Sequence, residues 1–239
     1  METTLAVRKQ TQFRQGVQAG ISIAIGYMPI ALTFGLLAKT TGLSLVETVL
    51  MSLIVYAGAS QYISLNLLSL GTGIFEIILT TFIVNIRHFL MSASLNEKFE
   101  QDLLWKKAIS AFGITDETFS VAATKEGTVT TSYMFGLITV SYGSWVISSG
   151  IGHIVGNGLP QNLQESMSVA LYAMFIGLLV PTFKQQRKAI WLAGIAAVFN
   201  SIFSLVFEFS TGWAIVSATL LSAVIVELLY NGKGEPGNG

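Results

Sequence analysis

Apolar runs long enough to span a bilayer recur from end to end of this chain, and no other feature of the sequence restricts its fold so tightly. A hydrocarbon layer of about 30 Å is crossed by a helix of about 20 apolar residues. Between charged or turn-rich gaps the runs cover Val17–Ala38, Leu45–Leu67, Ile74–Leu95, Ala108–Thr124, Tyr133–Val155, Ser168–Phe183, Ala189–Phe207 and Trp213–Tyr230. Only 11% of the residues are charged, whereas a soluble domain carries roughly 25%. Most of the surface therefore faces something other than water. The expected fold class is an all-α polytopic membrane protein with six to eight membrane helices, some of them broken or re-entrant.

The runs leave room for one transmembrane domain, residues 1–231, followed by a glycine-rich tail, 232–239, expected to be loose. An internal repeat of about 85 residues is expected, with candidate copies at 17–98 and 105–184 and two further helices within 189–230. It lays Gly26–Lys39 over Gly113–Lys125 and brings Tyr56–Ser60 near Ser141–Ser144. Each copy carries a helix-breaking signal in its first segment. Gly20, Gly26 and Pro29 interrupt one. Gly113 interrupts the other, before Thr115, a natural N-cap with Asp116 and Glu117 in the next turn. Interrupted helices in corresponding halves point to a transporter's binding site; a kink made only for packing is the other reading.

Lysine and arginine cluster at Arg8–Arg14, Lys98–Lys107 and Lys184–Lys188. The positive-inside rule places all three clusters in the cytoplasm, which requires an even number of crossings between them. Either the first segment of each repeat is re-entrant, or every segment crosses and Lys98–Lys107 lies outside. The N-terminal stretch is polar and runs straight into a long apolar segment, which reads as a retained membrane protein.

Exclusions follow from scarcity. The formal net charge is zero, so no basic field invites nucleic acid. Cysteine is absent and there are two histidines, His88 and His153, so no metal site is expected, nor any cofactor.

Side chains that are expensive in a bilayer carry the functional signal. A charge at a helix centre costs about 2.5–3.5 kcal/mol on insertion scales, so it needs a partner or a wet cavity. If the third segment continues to Leu95, Arg87 and His88 lie inside it, and Asn85, His88 and Ser92 share one face. Arg87 then suits a carboxylate of the protein or of a substrate; the other reading is an arginine that snorkels to the interface. Asp116 and Glu117 sit in the weakest segment. Arg87 can neutralise them, one can shuttle a proton, or the segment can be interfacial. Glu208 and Glu227 lie near segment ends and are expected at the interface. Ala57-Gly-Ala-Ser-Gln-Tyr62 places Gly58, Ser60 and Gln61 in a small-residue run that suits a ligand or a neighbouring helix equally. Gly150-Ile-Gly-His153, with Gly156 and Gly158, reads as a loosened helix end. Trp105, Trp191 and Trp213 stand at segment edges, as interface anchors do.

Three of these stretches, Ala57–Tyr62, Asn85–Leu95 and Thr115-Asp-Glu-Thr-Phe119, resemble signatures of the azaleucine-resistance (AzlC-type) family, large subunits of bacterial branched-chain amino-acid exporters. The likeness runs from about Phe13 to Pro181. This sequence departs from the family's usual pattern at Met91, Ile30-Ala31 and Ser168. The resemblance implies export of leucine, isoleucine, valine and analogues across the inner membrane, with a small four-helix membrane subunit of the AzlD type as partner.

The function expected is therefore a secondary transporter and not an enzyme. Pro29, Gly58, Ser60, Gln61, Asn85, Arg87 and Thr115 are the candidate substrate-binding residues; His88, Asp116 and Glu117 form the candidate charge or proton-coupling network. The chain carries no Walker motif to hydrolyse ATP. A non-transporting assembly or sensor subunit is the alternative. An intramembrane hydrolase is disfavoured, since the chain's two aspartates are Asp102 in a polar loop and Asp116, and no nucleophile motif is present.

Overall fold

The computed structural model describes residues 2–156, 162, 176, 180, 183 and 187–231. Among them are nine helices: α1 (Glu2–Thr40), α2 (Leu45–Val55), α3 (Gly58–Ser69), α4 (Ile74–Asn96), α5 (Leu104–Phe112), α6 (Asp116–Thr124), α7 (Thr131–Val155), α8 (Arg187–Leu205) and α9 (Thr211–Asn231). Five are long and apolar enough to cross a membrane: Thr11–Thr40 of α1, α4, α7, α8 and Thr211–Tyr230 of α9. Apart from those single positions, the expected segment Ser168–Phe183, the gap beyond Gly156, Lys184 and the tail 232–239 lie outside the described residues. The chain divides into two compact units, Met1–Leu65 with Val84–Ala170, and Asn66–Ile83 with Leu171–Gly239.

The first unit is built on a parallel pair, α1 against α7. Glycines on both helices bring the backbones into contact along their length. A Cβ on Gly16 would stand 2.0 Å from the Tyr133 carbonyl oxygen, one on Gly35 2.0 Å from that of Ser149, and one on Gly152 2.1 Å from that of Leu32. The Gly150–Gly156 stretch is thus no loosened end. α7 continues to Val155, and Gly152 and Gly156 form its seam with Leu32 and Leu36; Gly158 lies outside the described residues.

The expected break in the first segment is absent: α1 is continuous with Pro29 inside it. Proline removes one helical N–H, and in a membrane the disturbed backbone must be served by neighbours. Here Ser144 Oγ donates to the Ala24 carbonyl (2.7 Å), Thr33 Oγ1 to that of Pro29 (2.9 Å) and Tyr62 Oη to that of Ile30 (2.6 Å). The repeat alignment therefore sets a continuous helix, Gly26–Lys39, against a broken one.

The second segment breaks instead. α2 begins at a capping box, with the Ser44 N–H on the Glu47 carboxylate (2.7 Å) and the Glu47 N–H on Ser44 Oγ (3.2 Å). It runs antiparallel to α7: Thr48 Oγ1 meets His153 Nδ1 at 2.9 Å, Ser52 Oγ donates to Ser149 Oγ at 2.8 Å, and Tyr142 Oη donates to the Leu53 carbonyl at 2.8 Å. Tyr56 then adopts a left-handed conformation, φ 41°, and ends the helix. After the turn, Gln61 returns to the level of Ser52 and Tyr62 stacks edgewise on Phe34. α2 and the start of α3 form a re-entrant hairpin that enters from the C-terminal end of α1 and α7.

The fourth segment forms a second hairpin from the opposite end. α5 and α6, nine residues each, span about 13 Å apiece, half a bilayer. The break falls at Gly113–Thr115, where a Cβ on Gly113 would strike Ile138 of α7. Thr115 caps α6 through a reciprocal pair with Thr118. Both ends of this hairpin lie at the start of α7. The Lys98 ammonium donates to the carbonyls of Ala123 and Lys125, Phe99 bridges to Val129, and Thr131 donates its N–H to the Glu100 carboxylate (2.6 Å) and its hydroxyl to Asp102 (2.9 Å). The Lys98–Lys107 cluster therefore shares an end with Arg14, because Phe13 and Gly16 also pack at the start of α7. This excludes the arrangement with every segment crossing. The re-entrant segments are the second and fourth, not the first of each repeat.

In the second unit α8 and α9 make an antiparallel hairpin. Phe203 and Phe209 stack at its turn, and Lys188 pairs with Glu227 near its open end at 2.5 Å. The Glu76 carboxylate accepts from Ser210 Oγ and from the Trp213 N–H at the first turn of α9. Glu208 is exposed in the turn.

Candidate functional site

The breaks of the two hairpins meet beside the middle of α1 and α7. Tyr56, at the first break, packs edgewise on Tyr142 (4.9 Å between ring centroids) and on Tyr27 (6.5 Å), and lies 6.2 Å from Phe112 at the second break. Tyr27 is the joint. Its hydroxyl donates to Glu117 Oε2 at 2.6 Å and also contacts Thr115 Oγ1 at 2.6 Å, so a phenol from α1 grips the first turn of α6. The N-terminus of a helix favours a carboxylate nearby, and Glu117 sits there.

Arg87 reaches the same turn from α4. Its guanidinium lies 2.8 Å from the Asp116 carboxylate, the two side chains 34% and 28% exposed. α4 does continue to Asn96, so Arg87 and His88 lie within the helix, not at its end. Arg87 Nε is enclosed and makes no hydrogen bond among the described residues. His88, on the same helix, stands within electrostatic reach of Glu117. Two carboxylates and one arginine at a helix N-terminus leave a net negative site at mid-depth when both acids are ionised, and a neutral one when a single proton is held.

Ser60 and Gln61 are bound into the frame. Ser60 Oγ donates to Asn85 Oδ1 at 2.7 Å, which ties the first hairpin to α4. Gln61 is fully buried and sits in a closed ring of hydrogen bonds. Trp145 Nε1 donates to its Oε1 (3.0 Å), its Nε2 donates to Ser52 Oγ (3.2 Å), Ser52 donates to Ser149, and Ser149 returns to the Trp145 carbonyl (2.7 Å). Gly58 makes room for the Trp145 indole, which lies 2.8 Å from where a Cβ would be. Pro29 does not join the others; it lies on the exposed face of α1.

The structure thus gathers Asn85, Arg87, His88, Thr115, Asp116 and Glu117 at the breaks, uses Ser60 and Gln61 to fix one hairpin, and leaves Pro29 out. Tyr27, Tyr56, Ser52, Trp145 and Ser149 were not anticipated. A tyrosine or serine in an apolar segment is too cheap to stand out as a charge does, and the indole of Trp145 reads like any interface tryptophan until its segment is placed. Among the described residues no three histidine or carboxylate side chains converge to hold a metal ion.

Residues 22–159, which contain both hairpins and this entire cluster, match the model of the family described as AzlC protein, more than half of the chain. The chain belongs to the AzlC family. It is similar to Inner membrane protein YgaZ of Escherichia coli K12, 34% identical over 184 residues, 74% of this chain and 75% of that one. An uncharacterized membrane protein of Archaeoglobus fulgidus is 32% identical over 199 residues, 82% and 88% of the two chains. Branched-chain amino acid transport protein AzlC of Bacillus subtilis is 25% identical over 179 residues, 74% and 70%. No solved structure matches. With these relatives, and with five helices long enough to cross a bilayer, this AzlC-family chain is a membrane protein.

Proposed function

We propose that this chain is the large subunit of a secondary transporter that exports branched-chain, neutral hydrophobic amino acids such as leucine, isoleucine and valine from the cytoplasm across a bacterial inner membrane. The observation that carries the reading is the meeting, at mid-depth, of two broken hairpins that enter from opposite ends. Half-helix ends present carbonyls and N–H groups where the rest of the backbone is paired. The C-terminal ends of α2 and α5 suit an ammonium group, and the N-terminal ends of α3 and α6 suit a carboxylate. Tyr56, Tyr142 and Phe112 supply apolar surface for a branched side chain.

In this reading Arg87 provides the positive charge that a carboxylate meets, with Asp116 as its resting partner. Glu117, held by Tyr27 and close to His88, carries the coupled proton. The small four-helix subunit of the AzlD type completes the complex, as the family resemblance implies. The name of the Bacillus subtilis relative supports the substrate class.

The test is flux in proteoliposomes that hold the chain with and without the small subunit, with labelled leucine, valine and methionine and an imposed pH gradient. Substrate-dependent flux that follows the gradient is expected of the assembled complex. No flux under any gradient would leave a non-transporting assembly or sensor subunit as the better reading.

A further inference from the structure

A cavity of about 350 Å³ lies between the C-terminal half of α4 and α5, outside the cluster described above. Its size falls in the range of small-ligand pockets, roughly 300–1,000 Å³. Asn96, Phe99 and Lys107 stand at the end of the unit where α4 finishes, and Ile114 is at the break itself. The cavity therefore runs alongside α5 from one end of the unit to mid-depth. Its walls are graded. Lys107 and Asn96, joined by a hydrogen bond of 3.2 Å, put an ammonium and an amide at the outer end. Ser92 and Ser110 put hydroxyls on facing helices, and Phe89, Ala93, Leu95, Ala108 and Ala111 are apolar. Ser110 Oγ is buried, its residue 2% exposed, and makes no hydrogen bond among the described residues.

An acyl chain would gain nothing from two hydroxyls, an amide and an ammonium, whereas a buried hydroxyl without a partner is satisfied by a polar ligand or water. We propose that this cavity is an access vestibule in which a zwitterionic amino acid with an apolar side chain pauses on its way to the break. Lys107 and Asn96 meet its carboxylate, and the apolar wall takes its side chain. The inference rests on the export reading for the identity of the occupant and adds a second subsite and a direction of approach, the end that carries Arg14 and Lys98–Lys107.

The natural chain contains no cysteine, so one introduced thiol reports alone. In the reconstituted complex, S110C and, on the facing wall, S92C are treated with a charged, water-soluble thiosulfonate, with and without saturating leucine. I109C, which points away from the cavity and is 47% exposed, is the control. Modification of S110C and S92C slowed at least fivefold by leucine, with I109C unreactive, is the expected result. Thiols that react only with a lipid-soluble maleimide would show a lipid-filled groove and overturn the proposal. So would modification at the same rate with and without leucine in a complex that transports leucine. Leucine protection in a complex without flux would uphold the subsite while the export reading fails.

Discussion

Arg87 and Asp116 each answer for the other. A carboxylate left facing a half-buried arginine's former position loses its compensation, and an arginine left alone at mid-depth is worse. R87A and D116N are each expected to lower the melting temperature of the purified protein. The double variant should be more stable than the sum of the two predicts, with a coupling of about 0.5–3 kcal/mol. Leucine flux should be lost in all three. Wild-type flux in an inserted R87A protein would remove Arg87 from the site. Outside the membrane, the Asp102 carboxyl is held down at about 2 by hydrogen bonds from the Lys106 ammonium, the Leu103 N–H and the Thr131 hydroxyl. A carboxyl lowered on folding contributes stability above its ordinary value, near 3.8, and loses that contribution as pH falls from there through about 2. The gap in melting temperature between wild type and D102N should be full at pH 6 and shrink steadily below pH 4. A gap that does not change with pH would show that only the neutral hydrogen bonds matter.

Among the elements, the helix pair α1–α7 and the two hairpins differ in how they use small residues. Gly35 and Gly152 are seams: a methyl group at either would meet a backbone oxygen about 2 Å away, and backbone does not yield as a side chain can. G35A or G152A should destabilise by about 1–3 kcal/mol. G26A, whose Cβ meets nothing within 4 Å, should be neutral or slightly stabilising, since alanine favours a helix. Equal melting temperatures for all three in detergent would refute the seam. The same contrast explains what could be read from sequence. The positions of the apolar runs, the Thr115 cap and the continuation of α4 through Arg87 follow from local pattern and from the energetics of charge in lipid. The role of Gly20 and Pro29 does not, because a glycine that lets a neighbour approach and a glycine that lets a chain bend are the same letter. The true first break is at Tyr56, where neither glycine nor proline announces it.

On the scale of the whole molecule, the first unit repeats one motif in opposite directions: a long helix and then a hairpin that enters from that helix's C-terminal end, α1 with α2–α3 and α4 with α5–α6. The positive clusters at Arg8–Arg14 and Lys98–Lys107 share one end, and the positive-inside rule makes that end cytoplasmic. The Thr41–Ser44 turn is then outside. T41C should react with an impermeant thiol reagent on intact cells, and T128C only after the membrane is opened; the reverse pattern would invert the protein, and equal reactivity would refute the opposed hairpins. This relation was hidden in the sequence because crossing and re-entrant segments have the same composition, and long-range contacts such as Tyr62 to Ile30 or Lys98 to Lys125 decide between them.

Opposed hairpins that stop at mid-depth also have an electrical meaning. Moving one elementary charge through 100 mV is about 2.3 kcal/mol of work. Glu117 and Arg87 sit between two half-length barriers, so a proton that enters from one side and leaves to the other divides this work into two steps at the depth of the breaks. A carrier of net-neutral cargo built in this way is a voltage-sensitive device: its turnover should bend with membrane potential even when the substrate and its pH gradient are held constant.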